Sequence, residues 1–199
     1  MNQKRAELKE LMESILQEDY ITFSLSSCQI EERVEEKRSG ILAKLFFSDR
    51  SDAIVIEGEG VGALDAFFLA MRNRLSEECP SVKAIIFSAI EAKSVPNSDQ
   101  EHPTDAEGEV TLYVRNSYGD EIEFFCRSRS LLHASLEAIM KAFEYFVNSE
   151  KAYIRAYQAL EHHRHQYRPE LEDRYTSYLS LLVRNTSYEE VIEQLNESK

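Results

Sequence analysis

One segment carries the clearest structural signal in the chain, because it passes from a short apolar strand through three glycines into a helix: Ile54-Val55-Ile56-Glu57-Gly58-Glu59-Gly60-Val61-Gly62-Ala63-Leu64-Asp65-Ala66. The strand is predicted over Ala53 to Glu57, and the glycines then predict a tight turn. Beyond the turn, apolar side chains recur at the spacing of a single helix face: Leu64, Phe67, Phe68, Met71 and Leu75. The segment therefore predicts a strand, a turn and an amphipathic helix.

Two further strands are predicted before this segment. Tyr20 to Ile30 alternates apolar and polar side chains, which is typical of a half-buried strand. Ile41 to Phe47 forms the second strand, and Asp49 to Asp52 supplies polar turn residues before the third. A short amphipathic helix over Ala6 to Gln17 precedes all three. After that helix, the first part of the chain has the order βββα.

The same order repeats in the second part. Strands are predicted over Val82 to Ile90, over Glu109 to Arg115, and around Phe124, with a hairpin turn near Gly119. The helix that follows has an apolar face with the spacing of the first: Leu136, Ile139, Met140, Phe143 and Val147. We therefore predict an α+β fold of duplicated βββα units (20–77 and 82–148), related by pseudo-twofold symmetry, with helices on one face of each sheet and at both termini.

The predicted domain organisation has three parts: an N-terminal helix over residues 1–18, a core domain over 19–150, and a C-terminal helical extension over 151–199. The second helix is expected to run on towards Leu160. Pro169 is suited to the first position of another helix. Ser187 to Glu190 has the pattern of a capping box before a last helix.

Composition narrows the classes of function. The formal net charge of −13 is unfavourable for binding a phosphate backbone, so no nucleic-acid partner is expected. Cys28, Cys79 and Cys126 are too far apart for a metal-ligand motif and odd in number, so buried or half-buried thiols are expected. The charged start does not resemble a signal peptide, and no apolar run approaches the ~20 residues of a membrane helix. These features predict a cytoplasmic protein with no membrane partner.

The segment from Ile54 to Ala66 resembles the regulatory domain at the C-terminus of the α-isopropylmalate and citramalate synthases. In that family a strand leads into a G-x-G-x-G-P-hydrophobic-D-A loop that opens a helix, and this chain has every element except the proline, which is Ala63 here. Thr104 to Val110 is similar to the family's D-A-x-G/A-x-V approach to the fifth strand. The second unit departs from the family pattern, because Arg127 to Ser135 lacks the glycines and the aspartate.

The resemblance implies a function. The catalytic part of those synthases is a metal-binding (β/α)8 barrel of about 250 residues, so this chain resembles the stand-alone regulatory module, with no enzyme activity, cofactor or metal. The family implies a homodimer that binds leucine or isoleucine near the subunit boundary, or docks on a synthase partner. The candidate ligand-binding residues are Gly58, Glu59, Gly60, Val61, Gly62, Ala63, Leu64, Ser88, Ala89, Asp105 and Ala106.

Other interpretations compete with this one. The glycines could serve only the turn, which would leave a purely structural dimerisation protein without a ligand. A further alternative is a component of 2-isopropylmalate synthase activity in leucine biosynthesis. Gly58-x-Gly60-x-x-Ala63 also fits a loose dinucleotide fingerprint, but the predicted strand order is not a βαβ unit, and the neighbouring carboxylates of Glu57 and Glu59 repel a pyrophosphate.

Two polar clusters are weaker candidates. His162, His163 and His165 fall in a predicted helix, but no acid or thiol pattern completes a metal site, so a solvated helix face is expected. Ser128, Ser130 and His133 suggest a hydroxyl beside an imidazole, but the acid and the oxyanion hole that catalysis requires are not evident in the sequence.

Overall fold

The computed structural model describes residues 3–95 and 107–197 of the protein. The N-terminal helix is α1 (Gln3–Leu16), and the first unit that follows it consists of β1 (Phe23–Arg33), β2 (Arg38–Phe47), β3 (Ile54–Gly60) and α2 (Ala63–Leu75). The second unit consists of β4 (Ile86–Val95), β5 (Glu107–Arg115), β6 (Glu121–Ser128) and α3 (Leu131–His165). The extension adds α4 (Pro169–Leu182) and α5 (Glu189–Glu197).

The two units have the same topology. Each forms a separate three-stranded antiparallel sheet, in the orders β1-β2-β3 and β4-β5-β6. The pairing register shifts at matching places near the start of each first strand, between Leu25 and Ser27 in β1 and between Phe87 and Ala89 in β4. A bulge is a specific local feature rather than a random defect, so its recurrence marks the second unit as a copy of the first. The predicted α+β fold of duplicated βββα units is confirmed.

Alternation along the strands places the core. In β2 the side chains of Ile41, Ala43, Leu45 and Phe47 are buried beneath the helices, while the alternate positions point to the open face. In the second unit Val110, Leu112, Val114, Phe124 and Cys126 are buried in the same way. Both predicted helix faces pack onto these sheets, with Phe68 of α2 and Phe143 of α3 in ring contact at 5.0 Å.

One predicted strand begins later than expected. The sequence predicts a strand from Val82, but Pro80–Ala84 forms a 3-10 turn and β4 begins at Ile86. Pro80 fixes the backbone at the start of this turn, and the N–H of Ser81 donates to Oε2 of the buried Glu150 at 2.8 Å. Glu150 is 69 residues away in sequence, so a local pattern of apolar residues cannot reveal this contact.

Helix α3 carries buried polar side chains that hold other elements in place. Asn148 is fully buried, and its amide accepts from the N–H of Ile21 at 2.8 Å and donates to the carbonyl of Ile21 at 2.7 Å. Glu144 accepts from the N–H of Phe23, at the start of β1. Burial raises the pKa of both Glu144 and Glu150. These contacts attach the segment that leads into the first sheet to the helix of the second unit.

The C-terminal extension packs on the core. Tyr188 stacks on Tyr153 of α3 with ring centroids 4.3 Å apart, and its hydroxyl lies 2.6 Å from the hydroxyl of Ser149. Asn185 donates to the Ser149 hydroxyl, and its own carbonyl accepts from the Asn116 amide at the β5–β6 turn. The extension is therefore joined by buried hydrogen bonds to both α3 and the second sheet. Helix α3 runs unbroken past residue 150. The predicted boundary between the core domain and the C-terminal extension at that residue stays a prediction.

The capping box predicted before the last helix does not form. Helix α5 begins at Glu189, and the carbonyl of Tyr188 accepts from the N–H of Ile192, so Tyr188 rather than Ser187 is the residue at the helix start. The Ser187 hydroxyl accepts from the N–H of Glu189 at 3.4 Å, and the Ser187 N–H donates to the hydroxyl of Ser117. The Glu190 carboxylate forms an ion pair with Lys83 at 2.9 Å instead of returning to Ser187. Tertiary contacts have replaced the motif.

We expect Asn148→Ala to lower the free energy of unfolding by about 2–4 kcal/mol, because it leaves the buried backbone groups of Ile21 without partners. Chemical unfolding followed by circular dichroism measures the change. Asn73→Ala, at an exposed position of α2, is the matched control and should change stability by less than about 0.5 kcal/mol. Equal losses in the two variants would contradict the anchoring role of Asn148.

Candidate functional site

The glycine-rich segment joins the last strand of the first unit to its helix. Gly58, Glu59 and Gly60 belong to β3, where they pair with Ile41, Gly40 and Ser39 of β2. Val61 and Gly62 form the bend, and Ala63 and Leu64 begin α2. The turn is therefore shorter than the sequence predicts, because two of the three glycines lie within the strand.

The inner side of this segment is packed tightly against α2. A Cβ atom added to Gly58 would lie 2.9 Å from the Cβ of Ala70, and one added to Gly60 would lie 2.5 Å from the backbone nitrogen of Ala66. Both distances are too short for a real side chain, so these glycines allow the close approach of helix and strand. Gly62 differs from them, since nothing lies within 4 Å of a Cβ added there.

The start of α2 has no side-chain cap. Gly62 occupies the N-cap position with an extended backbone and has no side chain to accept from the first turn. Asp65 bends back instead, and its Oδ2 accepts from the N–H of Val61 at 3.1 Å. The N–H groups of the first helical turn carry partial positive charge, and such a terminus attracts carboxylates.

The equivalent start of α3 is closed by its own serine. The strand registers and helix starts place Cys126, Ser128 and Ser130 of the second unit at the positions of Gly58, Gly60 and Gly62. The Ser130 hydroxyl accepts from the N–H of His133 at 3.2 Å, which is an N-cap bond. The Ser128 hydroxyl lies 3.3 Å from the His133 ring. The two units therefore differ at the segment that the sequence singles out.

The outer side of the glycine segment borders a shallow groove on the open face of the first sheet, about 730 Å³ in volume. Glu59 lies at its edge and forms ion pairs with Arg33 at 2.9 Å and with Arg38 at 3.6 Å. The hydrogen bond to Glu59 raises the pKa of Arg33. The carboxylate of Glu59 is therefore already engaged by two arginines, and sequence reasoning missed both of them.

The remaining predicted site residues are not joined to this segment. Ser88 and Ala89 lie on β4 of the other sheet, and the Ser88 hydroxyl donates to Glu121 at 2.7 Å. Among the described hydrogen bonds, none links Ser88 or Ala89 to the glycine segment. Asp105 and Ala106 lie outside the described residues. Membership of Ser88, Ala89, Asp105 and Ala106 in one ligand site stays a prediction.

The cysteines are free thiols, and one histidine packs on a tyrosine ring. Cys79 and Cys126 are buried and Cys28 is half-buried, all as free thiols, as the sequence predicts. Burial raises the pKa of Cys79 to about 12. His163 stacks on Tyr175 of α4, with ring centroids 5.5 Å apart. Within residues 3–95 and 107–197, no cluster of three or more histidines, cysteines or acids has the arrangement of a metal site.

Comparison with known proteins assigns the fold to a family. The sequence model of the LeuA allosteric (dimerisation) domain matches residues 3–147, which include α1 and both βββα units. The chain belongs to the LeuA allosteric domain family. This confirms the predicted relationship to the regulatory domain of α-isopropylmalate synthases. No curated protein matches the chain in a sequence search.

The LeuA family model ends inside α3, so the last part of α3 and helices α4 and α5 lie beyond the match. The chain therefore combines a LeuA allosteric core with additional helices that pack on it. None of the helices in the described ranges, including the 35-residue α3, has the length and apolar character needed to cross a bilayer.

We expect Gly60→Ala to lower the free energy of unfolding by about 1–3 kcal/mol, because its new methyl group meets the backbone of Ala66. Gly62→Ala is the matched control: its methyl group enters open space on an extended backbone, and stability should change by less than about 1 kcal/mol. Thermal and chemical unfolding measure both variants. A Gly60→Ala variant as stable as Gly62→Ala would show that α2 does not need the close approach.

Proposed function

We propose that the protein is a non-catalytic regulatory module that forms a homodimer and binds a small amino acid at the start of α2. The observation that carries the proposal is the difference between the two helix starts. Ser130 caps α3 from within the chain, whereas Gly62 leaves the first turn of α2 without a side-chain acceptor. In two copies of one unit, an uncapped start beside a capped one is the natural place for a ligand's carboxylate.

An α-amino acid suits this site better than a simple anion. Asp65 lies in the first turn of α2 and offers a carboxylate acceptor to an ammonium group. Membership in the LeuA family makes leucine or isoleucine the first ligands to test. The groove beside Gly58 and Glu59 lies next to the same segment, and we propose that it receives the aliphatic side chain of the ligand.

The open faces of the sheets support the dimer. Leu42, Phe46 and Val55 are 42%, 40% and 60% exposed on the first sheet, and Phe125 is 53% exposed on the second. Neighbouring outward-facing apolar side chains on a sheet are typical of a surface that another protein covers. We propose that a second copy of this chain covers the first sheet, as the family's dimerisation role suggests.

The second candidate is a purely structural dimerisation protein. The tight packing of Gly58 and Gly60 favours it, because that packing explains both glycines without any ligand. It does not explain Gly62, which has open space around it and forms no cap. In a further form of the regulatory proposal, this protein docks on a separate synthase. It would then act as a component of that enzyme's 2-isopropylmalate synthase activity.

The amino-acid site is tested by Gly62→Asp. The new carboxylate should cap α2 and raise stability slightly, by about 0.5 kcal/mol, while it occupies the N–H groups that the ligand needs. In the unsubstituted protein, L-leucine or L-isoleucine at about 100 times Kd should stabilise the fold by about 2.7 kcal/mol, seen as a higher melting temperature. Gly62→Asp should lose this response.

Gly62→Ala is the control for that experiment, because it adds a side chain without an acceptor and should keep the ligand response. If neither amino acid at millimolar concentration moves the melting temperature of the unsubstituted protein, the structural dimerisation role is favoured. A response that survives in Gly62→Asp places the ligand elsewhere.

The proposed dimer is tested by Val55→Asp, which puts a charge in the middle of the exposed apolar patch. We expect the dimer to dissociate at least about tenfold more readily, because a buried unpaired carboxylate opposes association. Light scattering after size-exclusion chromatography measures the mass. Val34→Asp is the matched control in the β1–β2 turn, where the valine is 82% exposed, and the dimer should persist.

A further inference from the structure

A second cleft lies between the LeuA core and the additional helices. It has a volume of about 680 Å³, which is within the usual range for small-molecule sites. One wall comes from α1 and the β5–β6 hairpin, and the other comes from Leu181 of α4 and from Arg184 and Asn185 in the turn after that helix. This wall lies beyond the family match, so the cleft is a feature of the extended chain.

The cleft offers two guanidinium groups. Arg5 rests on the ring of Phe124, with its Cζ atom 3.9 Å from the ring centroid, and Arg184 stands on the opposite wall. In the part of the chain that the structure describes, neither arginine forms a salt bridge. Burial lowers the pKa of Arg5, and the nearby Glu123 carboxylate offsets the lost hydration only in part. A carboxylate ligand would add a hydrogen-bonded partner.

The rest of the lining decides against a simple anion. Carboxylates outnumber guanidiniums along the cleft, with Glu7, Asp120, Glu121 and Glu123 on its walls. Glu121 already accepts from Ser88, whereas Asp120 and Glu123 are exposed on the hairpin. A molecule with only negative charge would be repelled by these groups, and one with only positive charge would leave the arginines unpaired.

Apolar side chains complete the lining. Leu8, Leu11 and Ile122 are partly buried beside the two arginines, and Leu181 is 43% exposed on the facing wall. A short aliphatic body would cover these groups and remove their apolar surface from water.

We propose that this cleft binds a small aliphatic zwitterion, with its carboxylate on Arg184 and Arg5, its ammonium group on Glu123 or Asp120, and its aliphatic part on the leucines and Ile122. The proposal is independent of the amino-acid site at the start of α2, because the two sites share no residue.

The test uses the full chain with Gly62→Asp, which closes the start of α2 to carboxylates. NMR titration of backbone amides with L-norleucine should give saturable shifts centred on Leu8, Ile122 and Leu181. Hexanoate, which lacks the ammonium group, and pentylamine, which lacks the carboxylate, should each bind at least about tenfold more weakly.

Substitutions in the cleft then assign the two charges. Arg184→Gln should weaken L-norleucine at least about tenfold without weakening pentylamine, and Glu123→Gln should weaken L-norleucine without weakening hexanoate. Arg168→Gln, at an exposed arginine before α4, is the control and should bind as the parent does. Absence of saturable shifts, or L-norleucine binding that Arg184→Gln does not alter, would overturn the proposal. If the amino-acid site at the start of α2 does not exist, the results expected for the cleft are the same.

Discussion

The two sheets of this protein are separate, so their relative position depends on helix α3. This helix contacts α1, α2, α4, β1, β5 and β6. Apolar packing alone is not directional. A buried hydrogen bond favours one arrangement, because breaking it leaves a polar group without a protein partner and out of reach of water. Asn148 forms two such bonds with Ile21, and Glu150 forms one with Ser81 in the connection between the units. The partly buried Glu144 adds a bond to Phe23 at the start of β1.

A second constraint acts within the first unit, where β3 and α2 approach so closely that Gly58 and Gly60 have no room for a side chain. The second unit solves the same problem differently. Its third strand carries Cys126 and Ser128 at those positions, and Gly108 on the neighbouring strand makes room for Leu131 of α3. In the first unit the glycines admit the helix itself, whereas in the second unit the glycine admits one side chain of the helix.

Much of this architecture could be predicted from local patterns. Alternation in β2 and the spacing of apolar residues in α2 and α3 each depend on a single element, and these predictions are confirmed. The 3-10 turn at Pro80 and the absence of the capping box could not be predicted, because Glu150 and Ser117 act on these segments from distant parts of the chain.

The same distinction holds at the candidate site. The glycine segment was visible in the sequence, but its strand pairing depends on β2, and the ion pairs of Glu59 depend on two arginines brought close by the β1–β2 hairpin. Asp65 carried a local signal, since it lies four residues after Val61, whose N–H it accepts. A search for acids in the first turn of the predicted helix would have found it.

The difference between the units also separates two tasks that a symmetric protein would have to share. Ser130 caps the start of α3, and this 35-residue helix packs against α4 and stacks through Tyr153 on Tyr188, just before α5. The first unit keeps a short helix with an uncapped start. A helix that must anchor both sheets gains from a cap, because fraying at its start would loosen everything attached to it. A helix start that must accept a ligand gains from having none, since an internal acceptor would compete for the same N–H groups. The position occupied by Gly62 in one unit and by Ser130 in the other therefore separates the scaffold from the candidate site.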